Sequence, residues 1–226
     1  MKIGIIGSGF IGSTLAEHLI NLGHQVVISN SRGPETLTEV AAETGATAVT
    51  AEEAAAAEDL IIIAIPEKAV PNLPTAILGA SKAIIIDAGN YYPSRDGNLA
   101  EIENGLTDSE WVAQVIGHPV IKAFNNIVVA SLASKALPTG TADKVALSVA
   151  GDDSEKQAVM ELIDKIGFDA IDGGPLSESW RQQPGTPAYC HDLDAAALKS
   201  ALGKAEHNKI AAYRSQADEQ VRQYFL

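Results

Sequence analysis

The chain has 226 residues, 46% of them apolar, and carries a formal charge of -13 from 16 Lys and Arg against 29 Asp and Glu. That length and apolar share allow one sizeable core, alone or with a small appendix, and argue against disorder. The acidic balance repels phosphate backbones and anionic lipid alike, which argues against nucleic acid and membrane as partners.

The opening MKIGIIGSG has its apolar run broken by Gly4, Gly7 and Gly9, and it reads as a strand rather than an export signal. KIGII is followed by a helix with Ile11, Leu15, Leu19 and Leu22 on one face, closed by Gly23. QVVIS is the second strand, and the next helix opens at Pro34 and stops at Gly45. ATAVT, LIIIAI and AIIID follow as strands, with EEAAAAED as a plain helix between the first two. Runs that are continuously Ile-rich, rather than alternating, belong to strands buried on both faces, the habit of parallel sheets covered by helices. The fold class is therefore α/β, a Rossmann-type doubly wound sheet, mainly parallel, with a small helical appendix at the carboxyl end.

PVIKAFNNIV and KVALSVAG extend the sheet as further strands, with helices over 128–136 and 153–166. After Ile171 the pattern breaks into DGGPLSESWRQQPGTPAYCHD, a long irregular segment whose aromatics argue for order and function. From Leu193 onward Ile210, Tyr213, Ala217, Val221 and Tyr224 repeat at three and four, as in terminal helices packed back on the body. The expected division is 1–172 for the sheet domain and 173–226 for the irregular loop and terminal helices. The apolar stripe on those helices suggests a homodimer. Cys190 stands alone, so no internal disulfide forms and a reducing, cytoplasmic setting fits, and no window approaches the roughly 20 apolar residues of a membrane span.

The loop Gly7-Ser8-Gly9-Phe10-Ile11-Gly12 is a G-x-G-x-x-G placed between a strand and a helix. The first glycine makes the tight turn, the second lets backbone approach a pyrophosphate, and the third lets helix and strand close together. The helix amino terminus supplies free N–H donors to the anion. About 20 residues beyond, where an NAD site keeps an acid for the ribose 2′-hydroxyl, the chain has Ser29, Asn30, Ser31 and Arg32. Hydroxyls, an amide and a guanidinium suit a dianionic 2′-phosphate, so the expected cofactor is NADP. The plainer alternative is an ordinary polar turn with Pro34 opening a helix.

With these residues placed, the chain resembles the deazaflavin-dependent NADP oxidoreductases, whose dinucleotide fold also occurs in the cytosolic domain of six-transmembrane ferrireductases. IGIIGSGFIGSTLA, SNSR, LIIIAIP, IIIDAGNYY and VIKAFNNI carry the likeness over roughly the first 150 residues. The resemblance implies NADPH at the carboxyl edge of the sheet, with Ala64, Ile65 and Pro66 bordering ribose and nicotinamide and with Gly89 and Asn90 nearby. It also implies hydride passing to a flat flavin- or deazaflavin-type ring, for which the protein supplies proximity and orientation. Beyond GGPL the segment SESWRQQPGTPAYCHD departs from the family pattern.

For the second site, Lys122 and Asn126 are the catalytic candidates, with Asn125 beside them. Their spacing is similar to the β-hydroxyacid dehydrogenases, where the lysine donates a proton and the asparagine holds substrate. The alternative is a strand-end lysine reaching solvent. Trp180, Arg181 and Tyr189 are the substrate-binding candidates, as parts of a lid, against an Ω-like loop whose Trp plugs the core. Tyr91 and Tyr92 form a pocket wall or cap it. His18 and His24 read as surface residues, His207 as a terminal-helix residue without chemistry, Cys190 as a small apolar residue, and no metal-ligand spacing is present. Three functions remain open: hydride transfer to a flavin-type ring, reduction of a small carbonyl or imine compound with a proton donor such as Lys122 or Tyr189, and non-enzymatic NADP sensing.

Overall fold

A computed structural model describes residues 1–224; the last two positions of the expected 173–226 unit lie outside the described residues. The strands are β1 (Lys2–Ile6), β2 (Gln25–Ser29), β3 (Thr47–Ala48), β4 (Leu60–Ile63), β5 (Ile84–Asp87), β6 (Ile121–Lys122), β7 (Ala146–Val149) and β8 (Asp169–Asp172). Between and after them come α1 (Phe10–Asn21), α2 (Thr38–Thr44), α3 (Ala51–Ala55), α4 (Thr75–Gly79), α5 (Pro93–Asp96), α6 (Ala100–Glu103), α7 (Asp108–Ile116), α8 (Val129–Ser134), α9 (Asp153–Ile166), α10 (Ala195–Lys204) and α11 (Ile210–Val221).

Six strands form a parallel sheet in the order β3-β2-β1-β4-β5-β6. The Ile-rich runs split between its two faces as the pleat requires. Ile62 and Ile86 join Ile3, Ile5, Leu15 and Leu19 beneath α1 and α9, while Ile61, Ile63 and Ile85 join Leu78, Trp111 and Val112 beneath α4 and α7. Each fully buried Ile contributes roughly 1.5–3 kcal/mol, so the two-sided core stabilises the sheet on which the loops stand. Chain order reverses between β1 and β4, and the crevice outside their carboxyl ends is where such a fold receives a ligand.

β7 and β8 do not continue the parallel sheet; they pair with each other, and β7 meets its edge through an antiparallel bridge from Ala150 to Lys122. The helix expected from Pro34 to Gly45 begins as a 3-10 turn, Pro34–Leu37, before α2, with Gly45 closing it in the left-handed region. His18 is not a plain surface residue, because its Nε2 lies 2.8 Å from the Leu132 carbonyl and ties α1 to α8.

The appendix docks by ion pairs and hydrogen bonds as well as by apolar contacts such as Leu198 and Leu202 against Ala146. Arg214 on α11 pairs with Glu103 at 2.8 Å, and Asp218 accepts from the N–H and hydroxyl of Ser94 at 2.9 and 2.7 Å. Tyr224, counted in that stripe, is 77% exposed. No helix among the described residues is long and apolar enough to cross a membrane.

Candidate functional site

The carboxyl ends of β1, β4 and β5 open into a groove of about 260 Å³, walled by Gly9, Phe10 and Ile11 on one side and by Ala64, Ile65, Pro66, Gly89 and Asn90 on the other. Packing gives each glycine of the loop its own constraint. A Cβ on Gly7 would sit 2.2 Å from the Ala64 carbonyl oxygen, at φ 118°, and one on Gly12 would sit 1.9 Å from the Gly7 carbonyl. A Cβ on Gly9 would meet nothing within 4 Å, because it would project into the open cradle. Gly9 caps α1 without any side-chain hydrogen bond to the helix end, so the first-turn N–H groups face the groove. A pyrophosphate needs such a surface: backbone donors, a helix dipole and no side chain in the way.

At the tip of β2 the four expected residues diverge. Ser29 is fully buried and its hydroxyl donates to the Ile5 carbonyl at 3.3 Å, so it turns into the sheet and away from the cradle. Asn30 shapes the turn, with Oδ1 accepting from the Arg32 N–H at 2.9 Å and Nδ2 donating to Thr36 Oγ1. Ser31 and Arg32 are exposed, and the Arg32 guanidinium makes no ion pair among the described residues. The polar-turn and phosphate-grip readings are thus compatible: Asn30 builds the turn that presents Ser31 and Arg32.

Below the groove lies a charged layer. Parallel register places Lys122 beside Asp87, and Lys122 Nζ contacts the Asp87 carboxylate at 3.0 Å and the Gly89 carbonyl at 2.7 Å. Asp87 also accepts from Ser109 Oγ at 2.6 Å and from the Gly89 N–H. Lys122 is completely buried, so as folded it neither reaches solvent nor faces the groove as a donor to a substrate. Burial lowers its pKa, but the surrounding carboxylates outweigh that and hold it above the usual lysine value. Asn126 also turns away; its Nδ2 donates to Ala188 O at 3.5 Å, after Phe124 reverses the chain at φ 63°.

Two residues without any spacing signal complete this layer. Arg95 pairs with Glu67 and Asp96 at 2.8 Å each, contacts the Asn90 carbonyl, and lines the groove. Glu67 is fully buried, and its Oε1 has no hydrogen-bond partner among the described residues. Desolvation, with Asp108 and Asp87 adding repulsion, raises its carboxyl well above the ordinary value. Asn125 links the edge to the irregular segment: its Nδ2 donates to Asn90 Oδ1 and Gln182 O, while Gln182 Nε2 donates to its Oδ1.

The three loop candidates separate. Trp180 is buried, with Arg181 stacked on it at 4.3 Å; Arg181 bonds Glu178 at 2.6 Å and the carbonyls of Leu202 and Ala205 at the end of α10. This is the plug-and-clamp arrangement, and neither residue lines the groove. Tyr189 instead meets Tyr92, their hydroxyl oxygens 2.5 Å apart, and Tyr92 forms part of the groove wall. Burial pushes the Cys190 thiol up to about 11, which removes it as a nucleophile. No cluster of metal-ligating side chains occurs among the described residues.

A doubly wound sheet with this cradle at its switch point defines a Rossmann-type dinucleotide-binding fold. The model of the NADP oxidoreductase coenzyme F420-dependent family matches residues 2–91, the first strands and helices of the sheet. The cofactor is accordingly NADP(H). The crystal structure of hypothetical protein SMa0349 from Sinorhizobium meliloti is 31% identical, with a TM-score of 0.73, over 86% of this chain and 96% of that one. The Escherichia coli protein YjhV is 44% identical over 71 residues, 31% of this chain and 52% of its own length. The rat (Rattus norvegicus) metalloreductase STEAP3 is 28% identical over 180 residues, 79% of this chain and 35% of its own. The chain therefore spans about half and about a third of these two curated relatives.

Proposed function

We propose that this NADP-dependent oxidoreductase passes a hydride from NADPH to a planar flavin- or deazaflavin-type ring. The observation that carries the reading is the wall of the groove. Phe10 stands on its lip at 79% exposure, Ile11, Ile65, Pro66 and Ala88 line it with Tyr92, Asn90 and Arg95 at its far side, and the lysine and carboxylates beneath are buried. An exposed aromatic and a flat apolar wall suit a ring stacked on the cofactor, where orientation supplies most of the acceleration.

When bound, NADPH supplies the hydride. Gly9 and the first turn of α1 hold the pyrophosphate, Ser31 and Arg32 hold the 2′-phosphate, and Ala64, Ile65, Pro66, Gly89 and Asn90 border the ribose and nicotinamide. Arg95, fixed by Glu67 and Asp96, braces the Asn90 carbonyl and so the far wall. The family's description, which includes coenzyme F420 dependence, supports a deazaflavin-type acceptor. A small carbonyl or imine compound is the second acceptor class, favoured by the Tyr92 and Tyr189 hydroxyls beside the groove.

The test is anaerobic mixing of the protein with NADPH deuterated at the transferring carbon and either riboflavin or a deazaflavin. Oxidation of NADPH, with deuterium recovered on the deazaflavin carbon, is expected. Oxidation by a small ketone or imine but by neither ring would replace the first reading with the second, and no oxidation by any acceptor would leave a sensor.

A further inference from the structure

Beside the cofactor groove lies a second cavity, of about 530 Å³, between the 185–191 loop and α11. Its walls include Thr186, Tyr189, Gln216, Gln220 and Val221, and Tyr92 is the one described residue that lines both this cavity and the groove. No Lys, Arg, Asp or Glu lines it among the described residues. A carboxylate or phosphate entering such a space would lose its hydration without gaining a permanent cation, His191 being the one lining residue among those described that can take up a positive charge. The polar groups on offer are mostly hydroxyls and amides, with the His191 imidazole and the Cys190 thiol beside them, and hydroxyls and amides hydrogen-bond uncharged carbonyl and imine edges. The packing there is tight: a Cβ on Gly185 would sit 2.2 Å from the Tyr213 carbonyl oxygen, so α11 is seated directly on the loop that carries Tyr189.

We propose that this cavity receives the acceptor as an uncharged ring or small molecule bearing a C=O or C=N bond, and that Tyr92, backed by Tyr189, donates the proton that completes its reduction. This rests on the hydride-transfer reading above. As the acceptor takes the hydride, two electrons and one proton, at its electrophilic carbon or nitrogen, the electron pair of the reduced double bond falls on the terminal heteroatom. The Tyr92 O–H bond breaks and an O–H or N–H bond forms there. The phenolate left behind takes the Tyr189 proton across the 2.5 Å contact, and water entering the cavity returns a proton to Tyr189. NADPH ends as NADP⁺ and the acceptor has gained two electrons and two protons. Burial pushes Tyr92 up to about 12 and Tyr189 higher than its usual value, so both hydroxyls carry their protons at neutral pH. An acid of that strength still protonates an alkoxide or amide anion downhill.

Single-turnover oxidation of NADPH by an uncharged cyclic imine, by the same imine bearing a carboxylate, and by riboflavin, a ring whose reduced anion needs no such donor, tests this in wild-type protein, Tyr92→Phe and Tyr189→Phe, each in H₂O and D₂O. Wild-type protein is expected to prefer the uncharged imine to its carboxylated counterpart and to show a solvent isotope effect with it. Tyr92→Phe should slow the step about 100-fold and Tyr189→Phe about 10-fold, with the isotope effect lost in the first. NADPH affinity and melting temperature, unchanged in at least one of the two variants, separate a lost proton from a lost fold. Imine turnover that is absent or unaffected by both substitutions, or preference for the carboxylated imine, would overturn this inference while leaving hydride transfer to riboflavin standing. No turnover by wild-type protein would overturn both.

Discussion

Lys122 and Asp87, 35 residues apart in sequence, meet at 3.0 Å with neither side chain more than 1% exposed. Removing one partner strands the other charge in the interior. Lys122→Met should therefore lower the unfolding free energy by roughly 3–5 kcal/mol, read by urea titration. Below its melting transition the variant should still bind NADPH. A variant as stable as wild type, but unable to reduce any acceptor, would return this lysine to the chemistry.

Glu67 makes a second prediction, in pH. Its carboxyl titrates well above the ordinary value of 4.5, chiefly because burial opposes ionisation. For a raised carboxyl, the stabilisation is fully present below the unfolded value and is lost as pH rises toward the folded value. Melting temperatures of wild type and Glu67→Gln, compared from acid to mildly alkaline pH, should show wild type losing ground as pH rises above about 4.5. Parallel curves would mean that the carboxylate enters the fold already ionised.

The glycine loop separates binding from folding. Gly9→Ala puts its methyl into the open cradle at unstrained φ -71°, so the fold should persist while NADPH affinity falls by tenfold or more. Gly12→Ala drives a methyl to 1.9 Å from the Gly7 carbonyl, and stability itself should drop. Thermal melting with and without NADPH distinguishes the two outcomes, and equal melting losses in both variants would contradict this assignment.

The features legible in the sequence were local ones. The Ile runs, the glycine spacing and α9, which spans residues 153–166 as its apolar period predicts, depend on neighbours within a turn or a strand. What stayed hidden depends on distant partners. Nothing near Lys122 announces Asp87, nothing near Tyr189 announces Tyr92, and Trp180 with Arg181 looks like a lid until the end of α10 is placed against it. Arg95 and Glu67 sit in unremarkable polar stretches and acquire meaning only when the ends of β4 and β5 bring them together. Even Ser29, correctly placed at the strand tip, faces inward because strand alternation fixes its direction.

Calorimetric titration of NADPH and NADH into wild type and Arg32→Ala tests most directly the proposal that the tip of β2 grips the extra phosphate of NADPH. Wild-type protein should bind NADPH at least tenfold more tightly than NADH, and Arg32→Ala should erase most of that margin by weakening NADPH alone. Equal affinities for the two nucleotides in wild-type protein, or an equal loss of both on removing the guanidinium, would contradict it.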